Sequence, residues 1–158
     1  MHSESWQRLA RNFVEEATVP PWLFDALNRQ FHFTLDPCST HANAVCAHHF
    51  TKTEDGLTQD WGQLVVFMNP PGGDAISAWM RKAVASAAAG ATVVCFVPND
   101  PHSDWWIKYV PGGEVRSLCC SLEPNGFKFG DSRALVIFRP NPETNRTPQI
   151  RPMLSARL

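Results

Sequence analysis

Two periodicities alternate along the chain. In Ser3–Ala17 the apolar residues Trp6, Leu9, Ala10, Phe13, Val14 and Ala17 recur at helical spacing, and Ser3 or Ser5 supplies a cap, so an amphipathic helix is predicted. Pro20-Pro21 interrupts that pattern, and Trp22–Arg29 reads as a second helix with Pro21 accommodated in its first turn. Phe31–Asp36 alternates and predicts a short strand that stops at Pro37, after which Thr40–His48 predicts a short helix. Leu64–Met68 and Thr92–Val97 are apolar runs of the kind expected for strands buried on both faces. Between them Asp74–Ala89 predicts an Ala-rich helix that Gly90 ends. Val115–Ser121 and Ala134–Phe138 predict two further strands, separated by the turn residues Pro124-Asn125-Gly126.

Strands alternating with helices predict an α/β layer fold with a mainly parallel sheet, and the Pro-Asn-Gly turn predicts an antiparallel pair at its edge. Ligands of such sheets bind beyond the carboxyl ends of the strands. The polar residues there are Asp36, Asn69, Asn99 and Asp100.

Composition narrows the class. The 158 residues suit one domain, and a hydrophobic content of 44% with 6 Trp and 10 Phe excludes disorder for the bulk of the chain. No apolar run reaches the roughly 20 residues of a membrane-spanning helix, and the N-terminus lacks the apolar block of a secretory signal, so a cytoplasmic protein is expected. The cysteines Cys38, Cys46, Cys95, Cys119 and Cys120 are odd in number and two are adjacent, which argues against a disulfide framework. A net charge of −1 neither demands nor excludes nucleic acid, but its distribution is uneven. Arg139, Arg146, Arg151 and Arg157 stand against Glu143 alone in a proline-rich stretch. The expected organisation is therefore a domain over 1–138 and a basic tail over 139–158, which either tracks phosphates or is simply a solvated terminus.

Asn69-Pro70-Pro71-Gly72 follows a buried strand and resembles the (D/N/S)-P-P-(Y/F/W) motif of amino-methyltransferases that use S-adenosylmethionine. The exocyclic amine of adenine is a poor nucleophile because its lone pair is delocalised into the ring. Two fixed acceptors, the Asn side-chain oxygen and the first Pro carbonyl, hydrogen-bond its N–H groups and favour a more pyramidal nitrogen, while the prolines keep the acceptors rigid. A strand-terminating loop is also often written this way for steric reasons alone.

The motif has company. Val19-Pro20-Pro21-Trp22-Leu23-Phe24-Asp25-Ala26-Leu27, Phe33-Thr34-Leu35-Asp36-Pro37-Cys38-Ser39, Asn43-Ala44, Asp55-Gly56-Leu57, Trp61, Asn69-Pro70-Pro71 and Trp105-Trp106 occur in the order of the phage-type (Dam-like) DNA N6-adenine methyltransferase family, which the chain resembles over about residues 18 to 138. The resemblance implies a Rossmann-like S-adenosylmethionine-dependent methyltransferase fold, S-adenosylmethionine as cofactor and DNA as partner, with the target adenine flipped out. It implies Asn69, Pro70 and Pro71 as catalytic residues. It also implies Pro20, Asp36, Pro37, Cys38, Ser39, Asp55 and Asn69 as cofactor-binding residues, with Asp55 accepting from the cofactor's adenine amino group.

Two positions depart from the family pattern. Val19 replaces a Thr, and Gly72 replaces the aromatic residue that stacks on the flipped base. Base stacking is worth about 1–3 kcal/mol, so Trp105, Trp106 or Phe129 would have to replace it. A homologue that binds S-adenosylmethionine or DNA without turnover is therefore the alternative reading, and transfer to a protein amide or other small amine is a third. Cys38, His41, Cys46, His48 and His49 match no standard zinc spacing, so no metal is expected. Trp105-Trp106 suits either a stacking platform for DNA or a cover for the core edge. A short or relaxed target site is expected, because a separate recognition domain does not fit in the chain; a membrane partner is not expected, and oligomeric state is left open.

Overall fold

The computed structural model describes residues 19–118 and 132–140. The helix over Ser3–Ala17, the strand end beyond Leu118, Cys119, Cys120, the Pro124-Asn125-Gly126 turn, Phe129 and the tail beyond Pro140 lie outside the described residues. The elements are α1 (Pro21–Phe31), β1 (Val65–Met68), a 3-10 turn (Gly73–Ala75) running into α2 (Ile76–Ala88), β2 (Thr92–Pro98), α3 (Asp104–Tyr109), β3 (Glu114–Leu118) and β4 (Arg133–Phe138).

Among the described residues four strands form one sheet, in the order β1-β2-β4-β3. β1 and β2 pair parallel, from Val65 opposite Thr92 to Met68 opposite Cys95. β4 pairs antiparallel with both β2 and β3, so β1, β2 and β3 share one direction and β4 alone opposes them. The antiparallel pair does form the edge, as the sequence predicts, but the reversed strand sits one place in from it. The uninterrupted apolar runs follow from the layers. In β2, Val93, Cys95 and Val97 enter the core with Ile76, Trp79, Met80, Ala83 and Ala87 of α2. Val94 and Phe96 point the other way, toward Leu23 and Leu27 of α1. With both faces covered there is no polar side to write into the strand.

α1 starts where Pro20 places its carbonyl to accept from the N–H groups of Leu23 (3.0 Å) and Phe24 (3.1 Å). It ends at His32, whose φ of 57° is left-handed and whose N–H reaches the Asn28 carbonyl. That ending consumes Phe31 and His32, so the strand expected over Phe31–Asp36 is reduced to a parallel bridge between Leu35 and Val66. Bonds from Thr34 N to Val65 O (2.8 Å) and from Phe67 N to Leu35 O (2.9 Å) dock this segment on the free side of β1.

The helix expected over Thr40–His48 does not form. Thr40 and Asn43 exchange side-chain-to-backbone bonds, with Thr40 N donating to Asn43 Oδ1 (2.7 Å) and Asn43 N to Thr40 Oγ1 (3.2 Å). Val45 N is taken by the Asp36 carboxylate at 3.0 Å. Those donors are lost to a helical ladder, and only the Ala44 N to Thr40 O turn remains. Conversely, α3 was not among the predicted elements, although Ser103 caps it by accepting from Trp106 N at 3.4 Å. Among the described residues no helix is long and apolar enough to cross a membrane.

Glu114 fastens the antiparallel edge. One carboxylate oxygen accepts from Arg116 Nε (2.8 Å) and the other from Arg139 Nη1 (2.7 Å), while Arg116 also donates to Gln30 of α1 at 2.9 Å. Burial acts to raise the Glu114 carboxyl, but the two guanidiniums outweigh it and hold it below its ordinary value of 4.5. A carboxyl lowered in the folded state contributes stability above its unfolded pKa and loses it as pH falls through the folded value. Glu114→Gln should therefore cost about 1 kcal/mol at pH 7. Melting curves of variant and wild type, separated by roughly 2–4 °C at pH 7, should converge as pH falls through the lowered native pKa, where the native carboxylate is protonated too.

Candidate active site

The pairing of Leu35 with Val66 delivers two loops side by side beyond the carboxyl edge of the sheet. One is Asp36-Pro37-Cys38-Ser39 and the other Asn69-Pro70-Pro71. The Cys38 thiol donates across to the Asn69 carbonyl at 3.2 Å. A cavity of about 290 Å³ opens beside them, walled by Pro37, Cys38, Ser39, Thr40, Asn43, Thr51, Lys52, Asp55, Gly56, Pro71 and Trp79.

Asp36 stands behind this wall, only 4% exposed. Its carboxylate accepts from Val45 N at 3.0 Å and Cys38 N at 3.4 Å, which folds the loop around it. Burial raises its pKa, and the two backbone donors, the Ser39 side chain and His49 only partly offset that. Asp36 is thus a buried anion incompletely compensated by the protein. The Ser39 hydroxyl favours the ionised carboxylate but lies outside hydrogen-bonding geometry, so its buried Oγ has no bonded partner.

The opposite wall is built by residues 51–61. Glu54 accepts from both the backbone N–H and the hydroxyl of Thr51, closing a turn. Asp55 then adopts a left-handed φ of 53°, a conformation Asp tolerates better than most residues, and its Oδ1 accepts from Leu57 N at 3.2 Å. Gly56 is needed for space. A Cβ there would lie 2.0 Å from the Pro37 carbonyl oxygen and 3.2 Å from Trp79 Cη2. The Gly56 carbonyl accepts from the buried Trp61 indole at 2.9 Å, and Lys82 of α2 lies 5.4 Å from the centre of that ring. The Asp-Gly-Leu and Trp elements of the sequence pattern are therefore one fastening that presses the Asp55 loop onto the Pro37 loop.

Asn69, Pro70, Pro71 and Gly72 are half-buried. Gly72 has φ −77°, open to any residue, whereas Gly73 at φ 68° uses the left-handed region that glycine favours. The 3-10 turn that follows aims α2 so that Trp79 comes back to the cavity.

Of the residues singled out by the sequence, Pro37, Cys38, Ser39, Asp55 and Pro71 line the cavity. Asn69 is joined to it through Cys38, and Asp36 lies one layer behind. Pro20 is not brought there: it is buried where α1 begins, next to Val19 of the core on the α1 side. Trp79, Lys52, Thr40, Asn43 and Thr51 were not foreseen. Trp79 in particular reads in sequence as one more apolar position of a core helix. Trp105 and Trp106 are half-buried against the core cluster, their ring centres 5.5 Å apart, which favours the covering role. His41 and His49 are hydrogen-bonded to each other at 2.9 Å. Among the described residues no group of three or more His, Cys, Asp or Glu side chains is placed to hold a metal.

A family model described as DNA N-6-adenine-methyltransferase (Dam) matches residues 10–116. The DNA N-6-adenine-methyltransferase of Haemophilus phage HP1 (strain HP1c1) is 28% identical over 90 residues, which cover 56% of this chain and 52% of that protein. The chain thus spans about half the length of this curated relative. A solved Listeria monocytogenes structure assigned to the class I S-adenosylmethionine-dependent methyltransferases aligns with a TM-score of 0.44 and 13% identity, over 68% of this chain and 42% of that one.

Proposed function

The chain belongs to the DNA N-6-adenine-methyltransferase (Dam) family, and from that premise we propose that it transfers a methyl group from S-adenosylmethionine to the 6-amino group of adenine in DNA. The observation that carries this reading is the shared cavity: Pro37, Cys38 and Ser39 wall it from the first loop and Pro71 from the Asn-Pro-Pro loop. A cofactor held by one loop would present its reactive group to an amine held by the other.

The cavity fits such a cofactor on two counts. The buried Ser39 Oγ lacks a hydrogen-bond partner, as expected of a group kept for a polar ligand. Asp36 is a buried anion short of compensating charge, and S-adenosylmethionine carries cationic sulfonium and ammonium groups. In this assignment Pro37, Cys38, Ser39 and Asp55 contact the cofactor, Asp36 supplies the negative field behind them, and Asp55 accepts from the adenine amino group. When bound, the cofactor would supply an electrophilic methyl whose sulfur leaves as a neutral thioether, the methylated amine giving up one proton to solvent. Asn69 and the Pro70 carbonyl accept the two N–H bonds of the target amine, Pro71 stiffens the loop, and Asn69 also abuts the cofactor. The target base is turned out of the duplex, because its amine is otherwise enclosed by the stack. The Arg-rich segment 139–158 adds phosphate contacts, making binding salt-dependent. Residues 1–138 form the methyltransferase unit, and the protein works in the cytoplasm.

Transfer of labelled methyl from S-adenosylmethionine to unmethylated DNA tests the reading, with label expected in adenine at N6. Cofactor binding by calorimetry without any label in DNA would favour the second reading, a binding protein that does not turn over. Gly72 is the observation behind that alternative, since it leaves the loop without the family's stacking ring. Its φ of −77° admits a side chain, so Gly72→Tyr should raise kcat/KM on DNA. A restored stack of about 1–3 kcal/mol corresponds to roughly 5- to 150-fold. No gain, with cofactor affinity unchanged and no label in DNA from either protein, would favour the binder; no gain over a wild type that does label DNA would mean that the ring is replaced from elsewhere.

A further inference from the structure

A side-chain contact joins the two loops of the proposed active site, the Cys38 Sγ to Asn69 O bond of 3.2 Å that spans 31 residues of sequence. We propose that Cys38 is a positioning residue for methyl transfer, its thiol fixing the Asn69–Pro70 peptide plane so that the two amine acceptors face the cavity. This rests on the methyltransferase reading above and names a residue that acts through its neighbour.

The geometry supports this in three ways. A carbonyl bonded to Cys38 is committed to the first loop, so the Asn69–Pro70 peptide cannot rotate without breaking that bond. Pro70 has φ restricted by its ring and ψ restricted by the following Pro71, so fixing the preceding plane leaves its own carbonyl few directions. Cys38 itself is held, because its N–H bonds the Asp36 carboxylate at 3.4 Å and its neighbour Pro37 is buried. A chain of fixed groups therefore runs from Asp36 through Cys38 to Asn69. The thiol also remains a donor. Burial, the Asp36 charge and Cys95 all raise its pKa, and the bond to Asn69 offsets this only in part, so it stays protonated at neutral pH. Such a thiol does not act as a nucleophile, which leaves hydrogen bonding as what it offers.

Comparing Cys38→Ala with Cys38→Ser separates positioning from cavity lining. Both variants lose the sulfur from the wall, so any change in cofactor affinity from that loss should appear in both. Only alanine loses the donor. With the full chain, DNA and S-adenosylmethionine, kcat should fall roughly 5- to 10-fold in Cys38→Ala and recover most of the way in Cys38→Ser, while KM for the cofactor moves alike in the two. The second readout needs no turnover. The carbonyl carbon signal of Asn69, observed by NMR in the ligand-free protein, should shift in Cys38→Ala and stay near its wild-type position in Cys38→Ser. Equal kcat in wild type and Cys38→Ala would overturn the positioning role, as would an Asn69 signal indifferent to both substitutions. Wild-type protein inactive on DNA would instead overturn the methyltransferase reading and the catalytic role with it. The carbonyl signal would then still decide whether the thiol holds the loop.

Discussion

Gly56→Ala should lower the melting temperature by on the order of 10 °C and weaken S-adenosylmethionine binding at least tenfold. The added Cβ would lie 2.0 Å from the Pro37 carbonyl oxygen, a backbone atom that cannot swing aside as a flexible side chain does. Relief has to come from separating the Asp55 loop from the Pro37 loop. Such a movement pulls on the Trp61 indole bond to the Gly56 carbonyl, and Trp61 is only 1% exposed. Overpacking of this kind costs about 3 kcal/mol, which for a domain of this size is roughly 6–12 °C. Because the two loops wall the same cavity, affinity falls together with stability. Gly62→Ala is the control: Gly62 has φ 53° but nothing within 4 Å of an added Cβ, so it should cost only about 1 kcal/mol, from backbone strain. Equal melting temperatures for Gly56→Ala and Gly62→Ala would mean that the close approach is not what holds the cavity together.

The contrast between those glycines also marks how far the sequence could be read. Leu64–Met68, Thr92–Val97 and Ala134–Phe138 were legible because a strand covered on both faces has to be apolar throughout, and the clusters on the two sides of β2 supply that cover. Gly90 was legible as a stop, and its φ of 123° bears that out. The Asn-Pro-Pro loop was legible because two prolines after a buried strand leave little else to build. Thr40–His48 misled because local propensity says nothing of Asp36, nine residues upstream of Val45, whose carboxylate takes the Val45 N–H. Phe31 misled because helix ends are set by cap geometry, here the left-handed His32, rather than by alternation. Gly56 as a contact point and Trp79 as cavity wall were hidden, since both depend on which loops tertiary structure brings together. Pro20 shows the reverse: its motif is present, but its backbone is engaged in starting α1 and it does not reach the cavity. The family pattern thus nominates residues, and only the fold assigns them distances.

The larger effect on chemistry should come from Asn69→Ala, which is expected to reduce kcat for DNA methylation by about 100- to 1000-fold, the loss typical of deleting one preorganised polar group at a reacting centre. Cofactor affinity should change by less than about threefold. The asymmetry follows from where the side chain is needed. The proposed cofactor contacts are spread over Pro37, Cys38, Ser39 and Asp55, all of which line the cavity, whereas the amine of the target base has two proposed acceptors and loses one of them. Backbone geometry should survive, since the Cys38 thiol bonds the Asn69 carbonyl and not its side chain, and the prolines that stiffen the loop remain. Asn69→Asp tests the same point with the opposite sign of error. It restores an acceptor oxygen and adds a charge, and because Asp stands at this position in part of the wider amino-methyltransferase motif, activity should recover to within about tenfold of wild type, where 1.4 kcal/mol sets each factor of ten. Single-turnover rates with saturating DNA and cofactor would measure both variants directly. An Asn69→Ala protein that methylates adenine at the wild-type rate would remove the Asn-Pro-Pro loop from the chemistry. The resemblance in the sequence would then mark a shared fold and nothing more.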